Sequence, residues 1–121
     1  MPAVNQSPRD AAMLLSESNG ALSREVVTIA SGQNLQAGTV LGKVTASGEY
    51  AQVNPAANDG SEVAAAVLLY EADASSGALQ ATALVRLAEV AKDKLIWPAG
   101  IAQADLDTAL GQLAGAFIIA R

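Results

Sequence analysis

The sequence predicts a mainly β domain of the α+β kind, with one C-terminal amphipathic helix and a flexible N-terminal arm. Three observations carry this. Short β-branched and apolar runs alternate with Gly-, Asn- and Ser-rich turns over residues 21–96. Leu106, Ala109, Leu110 and Leu113 then recur at the helical spacing i, i+3, i+4, i+7. Residues 1–20 hold neither period. The expected division is an arm over 1–20 and a body over 21–121, with β-structure over 21–96, a helix over about 102–114 and a last strand over about 116–120.

The arm, MPAVNQSPRDAAMLLSESNG, is broken by Pro2, Pro8, Asn19 and Gly20, and its apolar stretch is Met13-Leu14-Leu15. REVVTIA (24–30) is β-branched and reads as a strand. SGQNLQAG (31–38) reads as a loop with a glycine near each end. TVLGKVT (39–45) and EYAQV (49–53) flank Ser47-Gly48 and predict a hairpin. Asn54-Pro55 and Asn58-Asp59-Gly60 punctuate the next connection. EVAAAVLLYEA (62–72) is apolar nearly throughout, the pattern of a strand covered on both faces. Its alanines also suit a helix, but Val67, Leu68, Leu69 and Tyr70 lie between turn signals and favour the strand. LQATALVRLAEV (79–90) reads as one further strand, with Ala81, Ala83, Val85 and Leu87 on a single face. In LIWPAGI (95–101), Pro98 disfavours helix at Trp97 and Gly100 permits a sharp bend, so the helix begins beyond them. Gly115 is placed to end it, and AFIIA (116–120) is the last strand.

A chain of 121 residues is expected to form one domain with a modest core. Its 27 alanines supply much of the 51 % hydrophobic content, and each buries little apolar area. Such a chain gains by burying surface against partners, which favours an oligomer. The net charge is −5 and no basic patch exists to displace counterions from phosphates, so nucleic acid is not an expected partner. An anionic membrane surface is excluded on the same ground. The longest apolar runs, 63–70 and 113–120, are too short to span a bilayer. No basic-then-apolar leader opens the sequence.

The absence of cysteine removes disulfides, thiol nucleophiles and thiolate metal sites, and predicts a soluble protein whose fold is independent of redox state. The absence of histidine removes the commonest acid–base group near neutral pH and the commonest imidazole ligand. The acids Glu71/Asp73 and Asp105/Asp107 are i, i+2 pairs, and the second pair opens the helix, where negative charge suits the macrodipole. All four read as solvated acids rather than a glycosidase-type pair. No catalytic residue, cofactor or metal is expected.

GTVLGK (38–43) has three residues between its glycines where a phosphate loop needs four, and Val44 follows its lysine. The same stretch is similar to the hairpins of biotinyl and lipoyl carrier domains, but Lys43 falls inside the strand rather than at a turn tip. NQS (5–7) fits a glycosylation acceptor with no secretion signal to make it relevant. Arg86 is a single charge in an apolar strand. Either its stem packs while the head reaches solvent or an acid such as Glu71 or Glu89, or it makes an intersubunit ion pair. Trp97, fixed by Pro98, is expected to be a structural anchor in a chain poor in aromatics. The competing reading makes Trp97 and Tyr70 a stacking platform for a ligand.

Taken in order, LSREVVTIASGQNLQAGTVLGKV (22–44), NPAANDGSEVAAAVLLYEAD (54–73), ATALVRLAEV (81–90) and LIWPAGI (95–101) resemble the head decoration proteins of lambda-like tailed phages, over about residues 19 to 121. Two positions depart from the family's pattern: Leu87, where glycine is favoured, and Ala102, where Ser or Thr would cap the helix. The resemblance implies a small β-clip-like domain that forms homotrimers on the capsid exterior, at three-fold and quasi-three-fold positions. It implies addition to the expanded head, stabilisation against internal DNA pressure, and an arm that contacts the major capsid protein. Met13, Leu14 and Leu15 are the anchors expected within that arm. The alternatives are a carbohydrate- or small-ligand-binding β-clip module and, more distantly, a carrier domain acylated on Lys43.

Overall fold

The computed structural model describes residues 13–17 and 22–121. Five strands close a barrel. They are β2 (Arg24–Ile29), β4 (Val40–Lys43), β5 (Tyr50–Gln52), β6 (Ala64–Leu68) and β8 (Leu79–Leu84), arranged β2-β5-β4-β6-β8. Its longest ladder is antiparallel, from Arg24↔Leu84 to Ile29↔Leu79. β4 and β5 form the predicted hairpin, where Val44 donates to the Glu49 carbonyl at 2.8 Å. A single parallel pair, Ile29↔Tyr50, completes the circuit. Closure leaves the barrel no unpaired edge.

A second sheet sits against the barrel, in the order β1 (Leu14–Glu17), β9 (Ala88–Val90), β10 (Ile118–Ala120). β1 runs antiparallel to β9, and β10 runs parallel to it. A short ribbon pairs β3 (Asn34–Leu35) with β7 (Ala72–Asp73), so part of the expected 31–38 loop is strand. The helix, α1 (Gln103–Gly115), buries Ala109 and Leu113 and keeps Leu106 and Leu110 half-buried, which is the predicted stripe. Ala102 caps it without a side-chain hydrogen bond. The helix is tied to the barrel by Gln112, whose Oε1 accepts from the Ala64 N–H at 2.8 Å.

Apolar side chains collect in two clusters. Val27, Ile29, Leu41, Ala66, Leu68 and Ala83 belong to the first, at the barrel and its ribbon. Val40, Val67, Leu69, Leu84, Val90, Leu113 and Ile118 belong to the second, between barrel, helix and second sheet. Neighbours along β6 alternate between the two clusters, so that strand is covered on both faces, as its unbroken apolar run predicts. The largest wholly buried side chains are Met, Ile, Leu and Val, so the core is less alanine-rich than the composition suggests. At Gly42 a Cβ would stand 2.2 Å from the Ser61 carbonyl oxygen, so only glycine fits between β4 and the backbone of the turn that precedes β6.

Two expectations need correction. Residues 79–90 are not one strand. Ala81, Ala83 and Val85 do pack on the barrel cluster, but Leu84, Ala88 and Val90 belong to the other cluster, and the chain changes sheets at Leu87. The arm does not extend to residue 20, because Met13 is 1 % exposed and Leu14–Glu17 is a strand of the domain. A buried thioether in an otherwise aliphatic cluster explains why this segment is held. Residues 1–12 and 18–21, the rest of the expected arm, lie outside the described residues. Gly115 is the last residue of α1, as expected, and the left-handed residue beyond it is Phe117.

The Trp-Pro corner joins barrel to helix. Ile96 donates to the Gly38 carbonyl at 2.9 Å and its own carbonyl accepts from Val40 at 3.1 Å. Ile101 donates to Pro98 O at 3.2 Å, closing a turn through Gly100 at φ 74°. Trp97 is half-buried and packs against the second cluster.

Candidate functional site

Among the described residues, the non-glycine positions with left-handed backbone are Leu87 (φ 55°) and Phe117 (φ 61°). Each costs about 1 kcal/mol or more relative to glycine there. Both carry large apolar side chains into solvent, Leu87 at 40 % and Phe117 at 65 % exposure. They lie side by side. Each precedes a strand of the second sheet, and the Ala88 N–H donates to the Phe117 carbonyl at 3.0 Å.

The local cause is visible at each turn. After Leu84 the barrel ladder ends with Val85 donating to Ser23 O. The buried Ser23 hydroxyl donates to the Leu87 carbonyl at 2.7 Å, turning the chain into β9. At the helix end Phe117 donates to Ala114 O at 2.9 Å and then enters β10. Leu22, 53 % exposed, flanks the first turn, and Leu15, also 53 %, stands on β1 at a bulge. Strain and apolar exposure thus coincide at Leu87 and Phe117, on the seam between barrel and second sheet.

The charges along this seam cancel. Arg24 grips Glu17 through Nε (3.1 and 3.0 Å) and Nη2 (2.6 Å), and donates through Nη1 to the Tyr70 hydroxyl at 3.2 Å. The Glu17 carboxylate beside it keeps Arg24 protonated well above the ordinary guanidinium range. Arg86 meets Glu25 at 2.8 Å and Leu22 O at 2.7 Å. Arg121 meets Glu89 at 2.6 Å, and Ser16 donates to the same carboxylate at 2.9 Å. The three pairs are neutral, so the entire excess of negative charge lies outside them.

The expected site residues are distributed unevenly. Met13 is core, Leu14 is half-buried against the same cluster, and Leu15 remains exposed. Arg86 pairs within its own chain with Glu25, rather than with Glu71 or Glu89, and also donates to the Leu22 carbonyl. Trp97 lines an open depression of about 380 Å³ with Lys92, Asp93, Leu106 and Arg121. Tyr70 is not among these residues and instead meets Arg24, so the two rings do not line one pocket. Lys43 ends β4, its ammonium 5.9 Å from the Tyr50 ring centroid. Leu22 and Phe117 carried no sequence signal. Leu87 stood out only through the family resemblance, as a departure from its pattern.

Among the described residues no cluster of acids is gathered to hold a metal, and no helix is long and apolar enough to cross a membrane. Asp73 serves a turn, accepting from the Ser75 hydroxyl at 2.5 Å, and Asp59 does the same for Ser61 at 2.6 Å. These hydroxyls, with the backbone N–H of the same serines, hold both carboxyls below the usual range; Ser16 and then Arg121 do so for Glu89. A lowered folded value means the unfolded chain binds protons first as pH falls. The stability these groups add is therefore whole above the ordinary carboxylate range, near about 4, and is lost as pH drops through the folded values. Thermal melts from pH 6 downward should show this decline, and Asp59→Asn with Asp73→Asn should flatten it.

The chain matches the family model for Bacteriophage lambda head decoration protein D over residues 3–118. No curated protein matches it. The match spans the barrel, β1, β9, the Trp-Pro corner and the helix, and ends at the first residue of β10. The chain belongs to the bacteriophage lambda head decoration protein D family, and is a component of the phage head.

Proposed function

We propose that the protein decorates the exterior of the expanded head as homotrimers at three-fold and quasi-three-fold positions, gripping the major capsid protein and bracing the shell against internal DNA pressure. The observation that carries the reading to particular residues is the seam of Leu15, Leu22, Leu87 and Phe117. An apolar, charge-neutral strip on an acidic protein marks a surface meant to be covered. Two of its side chains stay there against backbone strain, a cost that persists where the position serves binding.

Residues 1–12 supply the arm in this proposal. An extended arm adds a strand to an open sheet edge of the capsid subunit by backbone hydrogen bonds. Ordering it costs entropy, so one arm binds weakly. Three arms on one body act at high effective concentration, and avidity rises roughly 10²–10⁴-fold over a single contact.

The test separates folding from binding. Leu87→Gly with Phe117→Gly removes both exposed side chains and both strained conformations. Melting should hold or rise, since glycine at each position relieves about 1 kcal/mol. Decoration of expanded capsids, read by sedimentation and cryo-electron microscopy, should weaken strongly. Undiminished decoration by the double variant would show that another face meets the shell.

A further inference from the structure

We propose that Asp59 and Gly60, in the turn that precedes β6, form a site of spontaneous aspartyl isomerisation which Ser61 and Glu62 hold closed in the folded chain. A glycine after an aspartate leaves its amide nitrogen unshielded by any side chain. That nitrogen can attack the aspartyl side-chain carbon. A bond forms between Gly60 N and Asp59 Cγ, and the amide proton leaves with the carboxyl OH as water, giving a five-membered succinimide. Water then adds at the main-chain carbonyl carbon of Asp59, and the bond from that carbon to Gly60 N breaks. The composition is unchanged, but the chain now runs through the side chain and is one carbon longer.

The fold demands this pair of residues. Gly60 has φ 107°, and a Cβ there would stand 2.6 Å from the Lys43 carbonyl oxygen and closer still to Thr45 Oγ1. Asp59 ties the turn together. Its Oδ1 accepts from the Ser61 N–H at 3.0 Å and from the Ser61 hydroxyl at 2.6 Å, while its main-chain carbonyl accepts from the Thr45 N–H at 2.9 Å. The same contacts oppose the reaction. Ring closure draws the carboxyl off both Ser61 donors, and those donors hold it below the usual carboxylate range, in the ionised form that resists attack. The nucleophile is held as well, since the Gly60 N–H donates to Glu62 Oε1 at 2.8 Å. Attack requires that proton to leave, and the negative charge beside it disfavours an anionic nitrogen. The product would strike the barrel. The Ser61 backbone lies against Gly42 of β4, and its carbonyl accepts from the Asn54 N–H at 3.0 Å. An extra backbone carbon at residue 59 displaces that wedge. The inference concerns the chain itself and holds whichever face meets the shell.

Full-length protein is aged at neutral pH, well below its melting temperature, beside a synthetic peptide of residues 54–63. Trypsin releases residues 44–86 as one peptide, and electron-transfer fragmentation locates isoaspartate within it. That peptide also carries Asp73, which makes the same turn with Ser75 but precedes alanine, so it is the internal reference and should stay unchanged. Asp59 should convert at least roughly tenfold more slowly in the folded protein than in the synthetic peptide, the effect of one charge-assisted hydrogen bond. Glu62→Gln and Ser61→Ala should each speed conversion several-fold in the folded protein and leave the peptide rate alone. Met13→Ala, which weakens the core far from this turn, is the control for stability. Conversion of the folded protein at the peptide rate would overturn the proposal. Unchanged rates in both turn variants, or an equal gain in Met13→Ala, would assign the protection to folding in general and overturn the roles of Ser61 and Glu62. A slower rate in Glu62→Gln would make that carboxylate a base that assists attack, which also overturns it.

Discussion

Gly42→Val lowers the melting temperature by on the order of 15 °C, the equivalent of about 3 kcal/mol in a domain of this size. Gly42 lies on β4 opposite Ala51 and Ala64, at the shift in register between β4 and β6. A Cβ there would stand 2.2 Å from Ser61 O and 2.7 Å from Ser61 Cα. The obstacle is backbone, which cannot rotate away as a side chain does. The strand must move, and the closed barrel couples that movement to every neighbour. Gly42→Ala already makes the clash, whereas Gly111→Ala, with nothing within 4 Å of its Cβ, should gain close to 1 kcal/mol of helix propensity. Circular dichroism melts of the three variants check the set. A Gly42→Ala protein that melts with the parent would mean β4 and the Ser61 loop are not held together as described.

The second large effect concerns where the arm ends. Deleting residues 2–12 should leave the melting temperature unchanged, and extending the deletion through Glu17 should lower it steeply. Met13→Ala alone removes a wholly buried side chain from the cluster it shares with Val90, Leu113 and Ile118, and costs about 2–5 kcal/mol. The longer deletion also strips β1 from β9 and leaves Arg24 without the carboxylate it grips. Denaturant unfolding of the two truncations and the point variant gives the comparison. Equal stability of both truncations would return Met13–Glu17 to the arm.

What was legible in the sequence follows from periodicity. The hairpin around Ser47-Gly48, the two-faced strand at Ala64–Leu68 and the Leu106–Leu113 stripe each repeat a pattern that burial imposes locally. The break at Leu87 was hidden because residues 79–90 are apolar at both parities: one parity fills the barrel cluster, the other the second cluster. A single-sheet strand and a strand that changes sheets then look alike. Met13 was unreadable for a different reason. Its burial depends on β9 and β10, which lie more than seventy residues away in sequence, and a four-residue strand has no period of its own. Leu22 and Phe117 are exposed by the geometry of two turns rather than by any pattern. The ion pairs Arg24–Glu17, Arg86–Glu25 and Arg121–Glu89 likewise required the fold.

The antiparallel pairing of β1 with β9 also has a mechanical meaning. A pull on the chain before Met13 enters the domain along the axis of β1, so the hydrogen bonds to β9 are loaded in shear, together, rather than peeled one at a time. At the far end of the same strand the Glu17 carboxylate is held by three contacts from Arg24, a stop against sliding. β9 passes the load to β10 and to the helix that precedes it, while β2 carries the Arg24 end into the barrel. Tension on the arm is thus divided between both halves of the body, and the strand yields only when ladder and ion pair fail at once.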